Sequence, residues 1–205
     1  MIKKIFFLAI CAFAVSNLYA QKKFTYADIW GSSQFSAKSV SSLKSMKSGD
    51  TFSNTDKAGN LIRYSFKTGK VIDTLMKNEE LQSKIRGFAY SEYTFSDDEK
   101  KVLLKTASEA IYRHSTKADY YIFDFTNRKL TQLSEKGKQM YAQFNPQGNM
   151  VAFVRDNNLY LKNLSDFSEK MVTDDGQKNS IINGATDWVY EEEFAFVRAF
   201  DWSAD

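Results

Sequence analysis

The stretch of this chain best equipped for chemistry is Asp187-Trp188-Val189-Tyr190-Glu191-Glu192-Glu193-Phe194. Three adjacent carboxylates repel one another, and each is expected to raise its neighbours' pKa unless a cation lies close. A bare Glu triplet reads most simply as a solvated acidic turn. Trp188, Tyr190, Phe194 and Phe196, however, predict a segment held by its aromatic groups against the core. Carboxylates held in place suit a cationic guest, such as a peptide's α-ammonium with a pKa near ~7.7–8.0. Arg113 is a second candidate, in Tyr112-Arg113-His114-Ser115, predicted to lie on a strand. Its plain reading is an ordinary surface cation.

Nucleophilic and metal chemistry find little support. None of the nine glycines brackets a serine in a G-x-S-x-G elbow. His114 is the one histidine, and a lone histidine on a strand is most simply structural. A zinc site needs several His or Cys ligands. The one cysteine, Cys11, falls in the N-terminal apolar run, so the mature chain is expected to carry no thiol, disulfide or cysteine metal site. No cofactor is expected.

The elements that must position these residues read as hairpins. Leu61–Phe66 leads through Lys67-Thr68-Gly69-Lys70 to Val71–Leu75, Tyr121–Phe125 leads to Leu130–Leu133, and Leu159–Leu164 returns at Lys170–Thr173. Each is a strand, a polar turn and a second strand. A second kind of hairpin interleaves with them. Tyr93–Asp98 precedes Lys101–Leu104, Ala142–Gly148 precedes Met150–Phe153, and Ala199 onward starts a further copy. In Asn145-Pro146-Gln147-Gly148 the Asn, Pro and Gly stand where a type I turn prefers them. Two hairpins per period give four strands, which is how a β-propeller blade reads. The alternative is a β-sandwich of unrelated hairpins. Residues 21–205 suffice for three to four blades at this spacing, whereas a closed ring takes about four to eight, so the chain is expected to be a fragment. Upstream, Thr25–Trp30 predicts one helical turn, with Thr25 as N-cap and Asp28 three residues on. Ser32–Ser53 predicts one or two short strands around Val40, Leu43 and Met46.

The N-terminus supplies an address. Lys3 and Lys4 precede an unbroken apolar run from Ile5 to Val15, and a more polar stretch ends in Ala20. That predicts a secretory signal peptide over residues 1–20, with a mature domain from 21 to 205. The run is about half of the ~20 residues a membrane span needs, and the alternative is an uncleaved anchor. Without Lys3 and Lys4 the formal charge falls to +1, and no Lys/Arg block remains to bind nucleic acid. The chain is expected to be exported, periplasmic or secreted.

The run Asp187–Glu193 resembles the acidic motif of the dipeptidyl peptidase IV family of serine exopeptidases. Tyr112–Ser115 is similar to that family's arginine-bearing strand. Phe95–Glu99, Thr25–Trp30 and Tyr121–Asp124 also resemble family segments, in the expected order. The resemblance implies an all-β, eight-bladed propeller followed by an α/β-hydrolase domain that carries a Ser-Asp-His triad. It implies that Glu192 and Glu193 bind the substrate's free ammonium and that Arg113 contacts the carbonyl of the first substrate residue. The partners would be peptides with a free N-terminus, whose Xaa-Pro or Xaa-Ala dipeptides the full-length enzyme releases. Residues 21–205 would gate and bind the amino end, and without the hydrolase domain they would be inactive. A homodimer of the full-length protein is left open. Phe194 departs from the pattern, since relatives often have a smaller apolar residue there, which reads as a packing change. The competing class is a non-catalytic exported propeller that binds peptides or a protein partner.

Overall fold

Period-two burial organises the structure. The computed structural model describes residues 23–37 and 43–204; the predicted leader lies outside them, as does Val40. The described residues fall into two units, one before Ser41 and one after Ser42.

The first unit contains helix α1 (Tyr26–Trp30) with the predicted capping box. The Asp28 amide donates to Thr25 Oγ1 at 3.1 Å, and the Thr25 amide donates back to Asp28 Oδ2 at 2.9 Å. Two of the helix's orphan donors are satisfied in this way.

The second unit is built from three four-stranded antiparallel sheets, each in simple sequence order. Blade one holds β1 (Lys44–Ser45), β2 (Thr51–Thr55), β3 (Leu61–Ser65) and β4 (Val71–Met76). Blade two holds β5 (Glu92–Phe95), β6 (Lys101–Ala110), β7 (Thr116–Asp124) and β8 (Lys129–Gln132). Blade three holds β9 (Met140–Phe144), β10 (Met150–Arg155), β11 (Asn158–Asn163) and β12 (Glu169–Met171). This is the predicted β-propeller architecture. Helix α2 (Asn78–Lys84), which sequence did not predict, joins blades one and two and buries Leu81.

The alternation of side chains explains why the blades stack. On β6, Val102 and Leu104 face one way and Leu103 the other; on β7, Phe123 opposes Tyr120 and Ile122. Val102, Leu104 and Phe123 pack with Leu61, Met76 and Leu81 from blade one and α2. Leu103, Tyr120 and Ile122 pack with Phe144, Val151 and Phe153 of blade three. The middle sheet is therefore buried on both faces. A fully buried Phe or Leu contributes roughly 1.5–3 kcal/mol, so these two seams are the main cohesive surfaces.

The tight turn opening each blade recurs. The Gly148 amide donates to Asn145 O at 3.0 Å, as the type I signature predicted, and Glu99 to Ser96 O and Gly49 to Met46 O close in the same way. The first of these copies, at Met46, was missed in sequence because β1 is only two residues long. The further copy expected from Ala199 does not form a strand, because residues 199–204 have no ladder partner among the described residues. Instead the Trp202 indole donates to Gln143 O at 3.4 Å, against β9.

Candidate functional site

Arg113 is carried by a loop, not by the predicted strand. β6 and β7 form a long hairpin whose far end stands clear of the core, and residues 111–115 turn between them. The Ile111 amide donates to Ser115 O at 2.9 Å, and the Tyr112 amide to Ser115 Oγ at 3.3 Å. These bonds end the ladder, so the β-favouring Ile111 and Tyr112 are spent on a turn. Lower on the arm the register slips between Thr106 and Glu109, with Ala107 at φ 42°. Lys138 pins that bulge by donating to Ala107 O, and its ammonium lies 3.3 Å from Asp119 and 3.5 Å from Glu109.

The acidic run is a helix, α3 (Trp188–Phe194). Asp187 caps it, its carboxylate accepting from the Val189 and Tyr190 amides at 2.9 and 3.1 Å. Seven residues are too few for a helix to persist alone, so tertiary bonds must hold it. An Ala185–Arg198 bridge closes its base, and Thr186 Oγ1 donates to Phe196 O at 2.6 Å. Gly184, at φ 78°, begins this excursion where a Cβ would come within 2.7 Å of Val154. No other residue type fits so close to blade three without displacement.

The aromatic groups do not anchor the segment as predicted. Trp188, Tyr190, Phe194 and Phe196 are 52–61% exposed. Phe194 lies over Tyr190 and Phe196 on the outside, with ring centroids 5.8 and 6.4 Å apart. The anchor is Glu191, the one buried residue of α3, at 1% exposure. Its Oε1 accepts from the His114 amide at 2.6 Å and the Ser115 amide at 3.0 Å. Burial opposes its charge, but the Ser115 hydroxyl and the two amides outweigh burial and hold its carboxyl below the ordinary value. This reverses the upward shift expected from three adjacent carboxylates, because a carboxylate fed by backbone N–H donors favours its charged form.

Tyr141 completes this lock from blade three. It sits at φ 56° inside β9, where the β9–β10 register is irregular, a strained conformation for a bulky residue. Burial pushes its hydroxyl up to about 12, with the Glu191 charge adding to the effect and a Ser115 hydrogen bond opposing it. Sequence gave no signal for Tyr141 or Ser115, since neither type marks such a position. The Asp187 N-cap ahead of an apolar pair was the available signal for α3.

Two of the three predicted site residues come together. Arg113 Nε lies 3.4 Å from Glu192 Oε2, the arginine side chain 72% exposed and the glutamate side chain 15%. Glu193 is exposed, and its carboxylate makes no hydrogen bond or ion pair among the described residues. His114 contributes its backbone to the lock and also lines an open cavity of about 650 Å³, shared with Tyr120, Tyr141 and Phe196. Neither this cavity nor the one of about 580 Å³ on the Ile182–Asp187 side is lined by Arg113, Glu192 or Glu193. The candidate residues thus stand on a rim, with the Arg113 guanidinium and the Glu193 carboxylate exposed and the Glu192 carboxylate largely covered.

Residues 96–205 match the family model described as the dipeptidyl peptidase IV (DPP IV) N-terminal region. The chain belongs to the dipeptidyl peptidase IV family. Dipeptidyl peptidase IV relatives include the prolyl endopeptidase FAP of Homo sapiens, 31% identical over 76% of this chain and 20% of that protein. Dipeptidyl peptidase 4 of Sus scrofa is 35% identical over 57% of this chain and 16% of that protein. The crystal structure of Porphyromonas gingivalis dipeptidyl peptidase 4 superposes with a TM-score of 0.79, at 39% identity, over 90% of this chain and 26% of that one. The chain therefore spans about a fifth of the curated relatives named here, and corresponds to the N-terminal propeller region of the dipeptidyl peptidase IV family.

Proposed function

We propose that this chain is the amine-binding part of an exported serine-type dipeptidyl peptidase, which in full-length form releases Xaa-Pro or Xaa-Ala dipeptides. One observation carries the reading: in a dipeptidyl peptidase IV family chain, the Arg113 guanidinium stands 3.4 Å from the Glu192 carboxylate on a solvent-facing rim. A peptide's first residue offers a cation and, across Cα and the carbonyl carbon, a carbonyl oxygen. Carboxylates at Glu192 and Glu193 attract the ammonium, and Arg113 donates to the carbonyl, each as a charge-assisted hydrogen bond. Fixing both groups fixes how far along the peptide the scissile bond lies. The nucleophile, general base and oxyanion donors belong to the hydrolase portion that family resemblance implies. The leader-like residues 1–20 support export.

The test uses the full-length protein. Glu192→Gln and Glu193→Gln should each lower kcat/KM for a Gly-Pro arylamide by about ten- to a hundred-fold, with folding unchanged. The amide keeps the shape and loses the charge. Unchanged kcat/KM in both variants would return the Glu run to a solvated surface.

A further inference from the structure

Glu191 is out of reach of any ligand at the rim, yet it makes the bonds that join the two ligand-bearing elements. It is 1% exposed, and its Oε1 takes two amide donors from the Arg113 loop, 77 and 76 residues away in sequence. Its immediate neighbour on α3 is Glu192, and the immediate neighbour of its donor His114 is Arg113. The arm bearing Arg113 leaves the core at Ala107, and Ala107–Ala110 are exposed. The base of α3 is tied to residues 196–198 and to the turn at Gly184. The two elements are thus joined by two backbone hydrogen bonds to one buried oxygen atom, beside the Arg113–Glu192 ion pair at the rim. Tyr141 and Ser115 close the same cluster from blade three and from the loop.

We infer that Glu191 is a positioning residue, whose carboxylate locks the Arg113 loop to α3 so that Arg113 and Glu192 face one ligand at a fixed separation. This rests on the reading of Arg113 and Glu192 as ligand-binding groups. Glu191 itself touches no substrate. Its charge matters because a carboxylate accepts an amide N–H about twice as strongly as a neutral carbonyl does. The groups facing it are the His114 and Ser115 amides, the Ser115 hydroxyl, the His114 ring and the Tyr141 hydroxyl.

A double-mutant cycle on the full-length protein separates positioning from general stability. Glu191→Gln should lower kcat/KM for a Gly-Pro arylamide by about ten-fold, and Arg113→Ala by a similar factor. In the Arg113→Ala background the Glu191→Gln loss should shrink to less than about three-fold, because the group being positioned is gone. Should Glu191→Gln fail to fold, Tyr141→Phe takes its place in the cycle, with an expected loss of about two- to five-fold that disappears in the Arg113→Ala background. Losses that multiply in full would show that Glu191, or Tyr141, acts independently of Arg113 and would overturn the inference alone. Wild-type kcat/KM in the lock variant would do the same. Wild-type kcat/KM in Arg113→Ala would overturn the underlying reading, and this inference with it.

Discussion

Glu191, Glu192 and Glu193 have the same side chain at consecutive positions, and the structure gives them three different environments. Glu191 turns inward to backbone donors, Glu192 is half-buried beside Arg113, and Glu193 is exposed. The inward member should leave a signature in acid. Its folded pKa is lowered, so the unfolded chain takes up its proton first as pH falls. Its stabilisation is therefore complete above the ordinary glutamate value of 4.5 and is lost as pH drops through the lower folded value. Urea midpoints of wild type and Glu191→Gln should differ at neutral pH and converge on acidification below about pH 4.5. A gap that stays constant with pH would show that the carboxylate's charge does not stabilise the fold. Nothing local in the Glu triplet distinguishes Glu191, because its donors lie more than seventy residues away.

At the scale of elements, the antiparallel hairpins were legible and the short connections were not. Leu61–Phe66 and Val71–Leu75 announce β3 and β4 by alternating apolar residues around a polar turn, and Asn145-Pro146-Gln147-Gly148 announces the turn into β10. Tyr112–Ser115 misled because its composition favours a strand while Ser115 closes a loop. Helix α3 misled because its seven residues lack an apolar stripe, and its aromatic groups face outward. What makes α3 a helix is its Asp187 cap and the tie at its base. Asp187→Ala should therefore cost about 1 kcal/mol, read as a lowered urea midpoint, and should also weaken turnover by the full-length protein by loosening the Glu192 mount. An Asp187→Ala variant with unchanged stability would mean that the Thr186 and Ala185 ties suffice to form the helix.

For the whole molecule, repetition was the strongest sequence signal, because each blade solves the same packing problem with the same alternation. The middle blade is buried on both faces by its neighbours, which is why hairpins recur in fixed order instead of as isolated pairs. Blade one was the least legible, its first strand being two residues in a Ser- and Lys-rich stretch. The propeller brings residues from separate hairpins and loops to one rim: Arg113 from blade two's arm and Glu192 from the excursion beyond blade three. The central claim is that this rim binds a protonated peptide N-terminus. The most direct measurement compares Gly-Pro and N-acetyl-Gly-Pro arylamides on the full-length protein. Acetylation removes the positive charge that the carboxylates attract and adds bulk where they stand. The account predicts turnover of the free-amine substrate and none of the acetylated one, whereas comparable rates for the two would contradict it.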